Sequence, residues 1–189
     1  EKLQIPASKQ EGREKEAARE LLYEPLVKYL DAELTGDSQI GFASSMSISW
    51  SDRTLFAYDC SKGTGKSNAA LMRSIKAALK LSKRVIVFVP TRGLASEYAE
   101  RINSALEERV ATTHLQKERN TASVVVSCPE SAYKFKNSPF ELICCDEANE
   151  VFERIEGGQL GQAPRQSLET FNTLLKNADQ VVIATAEMW

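Results

Sequence analysis

The sequence predicts an α/β domain, one parallel sheet with helices on both faces. Short apolar runs at residues 55–59, 84–90, 123–128, 140–145 and 180–185 alternate with amphipathic stretches at 65–81, 94–107 and 166–177. Strands that alternate with helices build parallel sheets. Several of these strands are apolar almost throughout, so both of their sides need cover. A glycine-containing loop, Cys60 to Ser67, joins the first strand to the first helix.

In chain order, residues 11–34 come first. Ala18, Leu21, Leu22, Leu26, Tyr29, Leu30 and Leu34 recur at helical spacing, and Pro25 interrupts them, which predicts two short helices meeting near Glu24. The small, polar segment 36–47 reads as a connector. The expected organisation is therefore a helical N-terminal extension or linker over 1–38 and a single α/β lobe over 39–189. Within the lobe, the helix opened by the loop carries Ala69, Leu71 and Met72, and the later strands end at sequence motifs. Ligands of such sheets bind beyond the carboxyl ends of the strands.

The 189 residues fit one domain, and 42% apolar with 26% charged residues describes an ordinary globular chain with a real core. A net charge of −2 gives no general support for a polyanion partner, although a local groove can hold one. No apolar run approaches a membrane span and the first residues lack a signal-peptide pattern, so no membrane partner is expected and the expected location is cytoplasmic, or the nucleoid or nucleus. Cys60, Cys128, Cys144 and Cys145 show no C-x-x-C spacing. On a strand, Cys144 and Cys145 point to opposite faces, which argues for buried reduced thiols rather than metal chelation.

The run CSKGTGKS carries the clearest chemistry. Gly63 and Gly65 permit a tight turn, so the backbone of Lys62, Gly63, Thr64, Gly65, Lys66 and Ser67 can surround phosphate oxygens at a helix N-terminus. Lys66 can reach the β- and γ-phosphates, and the Ser67 hydroxyl can ligate Mg²⁺, as in a P-loop NTPase. Cys60 stands where the strict pattern has glycine; the competing reading is a glycine turn with a surface lysine. Downstream, the run ICCDEANE delivers Asp146 and Glu147 at the end of an apolar strand. Acids leaving a buried strand need compensation. Asp146 can hold Mg²⁺ and Glu147 can orient or deprotonate water. The competing reading is a solvated loop start with helix-favouring acids, Glu147, Glu150 and Glu153 being possible first-turn residues.

Taken together these runs resemble the ordered signature of superfamily 2 helicases and translocases. CSKGTGKS resembles motif I, PTRGLASEY from Pro90 resembles motif Ia, and DEAN from Asp146 stands where DEAD or DEAH would stand. SCPESAYKF from Ser127 resembles motif Ib of the group that includes viral and plasmid origin-of-replication-binding helicases. IATAEM, from Ile183, occupies the place of motif III, with Ala184-Thr185-Ala186 instead of S-A-T.

The resemblance implies a RecA-like lobe that uses ATP and Mg²⁺, with Lys66, Ser67, Asp146 and Glu147 hydrolytic. It also implies nucleic-acid contacts at Thr91, Arg92, Gly93, Ser127 and Ser131, with DNA favoured over RNA, and a coupling role for Thr185. No Q-motif precedes the loop, so adenine selectivity comes from the resemblance alone. The family pattern continues into a second RecA-like lobe with an arginine finger. The sequence stops at Trp189, so that lobe is expected elsewhere in a longer chain, and this lobe alone is expected to hydrolyse ATP poorly.

The other readings are a P-loop ATPase of another class, such as a DNA-packaging terminase, and a regulatory nucleotide-binding module. The PTRGLA run opposes the first, and no N-K-x-D segment supports a GTPase. Arg73, Lys76, Lys80, Lys83 and Arg84 read as a solvated helix face. His114 is the only histidine, and Trp50 and Trp189 read as packing residues.

Overall fold

A computed structural model describes residues 54–59, 71–156 and 163–185. The expected helices within 11–34, the connector at 36–47, the loop Cys60 to Ser67, and Trp50 and Trp189 lie outside the described residues.

The strands are β1 (Thr54–Asp59), β2 (Val85–Phe88), β3 (Ala111–Thr113), β4 (Val124–Ser127), β5 (Leu142–Asp146) and β6 (Gln180–Thr185). They form a six-stranded sheet in the order β1-β6-β5-β2-β4-β3, and every pairing is parallel. The helices are α1 (Met72–Lys80), α2 (Arg92–Leu106), α3 (Ala148–Glu156) and α4 (Pro164–Asn177). Short 3-10 segments at Lys117–Asn120 and Pro129–Phe135 lead into and out of β4. The expected parallel α/β fold, RecA-like in class, is the one observed.

Alternation along the strands divides the core between two layers. Val85, Val87, Val124, Val126, Leu142 and Cys144 face α1 and α2, where Leu71, Ile75, Ala95 and Ile102 are fully buried. Ile86, Phe88, Val125, Ile143, Cys145 and Val181 face α3, α4 and the second 3-10 segment. That second layer is centred on Phe171, whose ring meets Phe88 at 4.8 Å and Phe152 at 6.2 Å, both edge-on. Cys144 and Cys145 thus lie on opposite faces as expected, both free of disulfides, and burial pushes both thiols up. They stay protonated and inert.

The helix α3 was not among the expected helical stretches, although Glu147, Glu150 and Glu153 read as possible first-turn acids, and Glu150 does lie in its first turn. Val151, Phe152 and Ile155 form an apolar stripe that packs on the sheet, leaving Glu150 and Glu153 on the outer side. The strand β3 also escaped the sequence, since Ala111-Thr112-Thr113 is short and lacks large apolar residues. The solvated-face reading holds for Arg73, Lys76 and Lys80 and is corrected for Lys83 and Arg84. Lys83 pairs with Asp179 at 3.1 Å. Arg84 lies over the Phe140 ring at 4.6 Å and donates to the carbonyls of Ala122, Pro139 and Arg119 at 3.3–3.4 Å. It ties together the chain entering β2, β4 and β5.

Two helix ends use a left-handed residue without being glycine. After α1, Ser82 (φ 55°) sits between Ser82 N–H to Leu79 O and Lys83 N–H to Ala78 O. After α2, Glu107 (φ 53°) sits in the same paired arrangement with Ser104 and Asn103. A side chain at such a position costs about 1–2 kcal/mol, partly offset by the greater freedom of glycine in the unfolded chain. Ser82→Gly and Glu107→Gly are each expected to stabilise the fold by roughly 0.5–1 kcal/mol, a rise of about 2–3 °C in Tm by calorimetry.

Candidate nucleotide and nucleic-acid site

The parallel register brings the chemically informative residues to one edge. Asp146 pairs with Ala184, and Asp59 pairs with Thr185 on the neighbouring strand. The end of β1 at Asp59 therefore lies at the level where β5 delivers its acids, with β6 between them, about 10 Å across two strand spacings. Residues paired in register share a face, which places Asp146 on the side of Ala184 and Cys144, beneath α1. The Asp146 side chain is 8% exposed, and Thr185 is buried at 2%. Glu147 is half-buried and has φ 48°, so the chain turns sharply between β5 and α3. Its carbonyl accepts from Val151 N–H at 3.1 Å, which starts the helix.

A second group lies beyond the ends of β2, β3 and β4. The Thr91 hydroxyl caps α2, accepting from Leu94 N–H at 3.3 Å. Arg92 and Gly93 are exposed, and a side chain at Gly93 would meet nothing within 4 Å. The first N–H groups of α2 face this open surface, a suitable place for phosphate oxygens. Ser127 and Ser131 lie differently. Ser127 is fully buried and donates to Cys128 O at 3.0 Å, and Ser131, 2% exposed, takes a 3.6 Å contact from the Cys128 thiol. Both hydroxyls sit beneath the surface that Thr91, Arg92 and Gly93 present.

A family model for DEAD/DEAH box helicases matches residues 50–188, which spans both groups. The chain belongs to that family. No curated protein matches it. It is a superfamily 2 helicase-type motor lobe that binds ATP, and its family implies ATPase activity and nucleic-acid binding in general. The family also uses Mg²⁺ as the usual companion of ATP, and the donors present fit that ion. Asp146 offers one hard oxygen ligand at the strand end, and the flanking thiols are protonated. Among the described residues, no cluster of three or more histidine, cysteine or acidic side chains could hold a metal by itself. A single carboxylate supplemented by phosphate oxygens and water is the way Mg²⁺ is held. No helix among the described residues is long and apolar enough to cross a membrane.

Beneath the second surface of the helicase lobe lies a buried polar cluster that the sequence did not reveal. His114 is fully buried; its Nε2 is 3.9 Å from the Cys128 sulfur, and its backbone N–H donates to Val126 O at 3.0 Å. Next to it, Arg154 pairs with Glu130 at 2.6 Å, and the Ser167 hydroxyl donates to Glu130 O at 3.1 Å. These contacts tie α3 and α4 to the segment leaving β4. Burial, with the charges of Lys134 and Arg92 adding, lowers the His114 pKa to about 4, while Glu130 opposes the shift.

His114 is therefore neutral in the folded lobe, whereas the unfolded chain takes up a proton near the ordinary value of 6.5. Stability from this residue is present above pH 6.5 and is lost as the pH falls towards 4, by up to about 3 kcal/mol. Urea unfolding across that range is expected to show the loss in the parent and a flatter profile in His114→Gln.

Proposed function

We propose that this chain is the first motor lobe of a superfamily 2 helicase or translocase that acts on DNA during replication. The convergence of β1, β6 and β5 at one edge carries the reading. It lets one bound nucleotide meet both the loop after β1 and the acids after β5. In this proposal Lys62, Gly63, Thr64, Gly65, Lys66 and Ser67 hold the phosphates, with Lys66 bonded to the terminal groups. Ser67 and Asp146 hold Mg²⁺, which when bound neutralises charge on the β- and γ-phosphates. Glu147 orients the attacking water and accepts its proton.

The nucleic-acid backbone lies on Thr91, Arg92 and Gly93, where positive charge and free N–H groups meet. Ser127 and Ser131 support that surface from below. Thr185, one strand away from Asp146, links the occupied nucleotide site to the nucleic-acid surface. The likeness of residues 127–135 to motif Ib of origin-binding helicases supports DNA and replication. Family membership supports a second RecA-like lobe as the partner that completes the motor, with residues 1–38 as an extension or linker to the lobe at 39–189.

Hydrolysis by the chain joined to its second lobe, with and without single-stranded DNA and RNA, tests the reading. DNA is expected to stimulate the rate strongly and RNA weakly; a rate indifferent to both would overturn the motor assignment. Glu147→Gln is expected to lower the rate by at least about a hundredfold with nucleotide binding kept. Lys66→Ala is expected to abolish Mg-ATP binding in a calorimetric titration with the fold retained. Thr91→Ala combined with Arg92→Ala should leave nucleotide binding intact and weaken DNA binding.

A further inference from the structure

A cavity of about 530 Å³ opens beside the chain entering β2, β4 and β5. Arg84 enters it from the start of β2, Asn120 from the chain before β4, and Tyr133, Lys134, Lys136 and Asn137 from the segment before β5. No acidic side chain lines it, although the chain as a whole carries a net charge of −2. The nearest candidate, Glu141, already accepts from the Arg84 backbone N–H at 2.8 Å. Arg84 is held by carbonyl oxygens, which fix the guanidinium without neutralising it. Burial lowers the Lys134 pKa, and the charges of Arg119 and Arg92 lower it further. Cations collected around a cavity without acids repel one another, a cost that an anion would relieve.

The remaining lining narrows the anion. Tyr133 offers a ring on which a base can stack, and the amides of Asn120 and Asn137 offer both donors and acceptors. Ring, amides and a set of cations together match a phosphorylated nucleoside better than a simple salt ion. We infer that this cavity is a second binding site, for a phosphorylated nucleoside unit, at the amino ends of β2, β4 and β5. The strand chain gives it the most units to engage, since a single-stranded nucleic acid presents such units in series. The inference borrows from the proposed function only the choice of a strand as one probe.

Both sources of the unit are tested in the Lys66→Ala background, so that the phosphate loop contributes nothing. The probes are a twelve-residue oligothymidylate carrying 4-thiothymidine and free thymidine 5′-monophosphate. Irradiation is expected to cross-link the oligonucleotide to the peptide containing Tyr133. Tyr133→Ala with Lys134→Ala and Lys136→Ala is expected to weaken its binding about tenfold and to reduce the salt slope by roughly one to one and a half. Thermal unfolding of the variant reports whether the fold is intact. If the natural ligand is a free nucleotide, the monophosphate binds to the parent, is lost in the variant and displaces nothing from Thr91. Cross-links confined to the peptide containing Thr91, with both affinities unchanged in the folded variant, would overturn the inference. That result would leave the Thr91 and Arg92 surface standing, because its own substitutions test it separately.

Discussion

Parallel pairing of β5 between β6 and β2 is the constraint on which the rest of the structure depends. A strand buried on both faces has to be apolar, and Leu142, Ile143, Cys144 and Cys145 are all fully buried. The chain can turn polar only where the sheet stops, so Asp146 and Glu147 mark that boundary. Parallel strands also need long crossovers, which places helices on both faces and all carboxyl ends on one side. The acids, the loop after β1 and the N-terminus of α2 are thereby gathered without any of them being adjacent in sequence. The left-handed turn at Glu147 lets the chain leave β5 and enter α3 at once. That turn costs a side-chain-bearing residue about 1–2 kcal/mol, which the packing of Val151, Phe152 and Ile155 offsets.

The two ends of the sheet are built for different purposes. At the carboxyl ends lie Asp146, Glu147 and the exposed start of α2. At the amino ends, the chain is tied down by Arg84, whose partners lie dozens of positions away in sequence. Holding the amino ends rigid fixes the height at which each strand emerges on the far side. Within the second layer, the Glu130–Arg154 pair and the Ser167 hydroxyl join α3 and α4 to the segment after β4. A shift at the acids can reach the segment leaving β4 through that link, since α3 begins at Ala148, directly after Glu147, and carries Arg154.

How much of this was legible follows from the kinds of signal involved. The run 180–185 was bounded correctly because it is apolar and flanked by polar residues, and β1, β2, β4 and β5 were placed to within a few residues for the same reason. The helix α2 starts at Arg92, not Leu94, because Thr91 caps it; the hydroxyl at that position was visible in the sequence. The helix α3 was signalled only by possible first-turn acids, although Val151, Phe152 and Ile155 already carried helical spacing. Arg84 was misjudged, and the setting of His114 passed over, for a deeper reason. Their roles depend on residues brought together only by the sheet order, and a lone histidine or a cation in a basic run carries no sign of it. Asp146 and Glu147 stood out because acids at the end of an apolar run are unusual by themselves, and they do lie at the end of β5. The grouping of Thr91, Arg92 and Gly93 rests on the same logic, while the burial of Ser127 and Ser131 depends on packing that no local pattern reports.

The central claim is that a nucleotide binds where β1, β6 and β5 end together. Amide hydrogen exchange with and without a non-hydrolysable ATP analogue and Mg²⁺ tests it most directly. Slower exchange concentrated in the peptides covering residues 59–71 and 146–151 is the result this arrangement requires. Saturating nucleotide that leaves both peptides unchanged would contradict it.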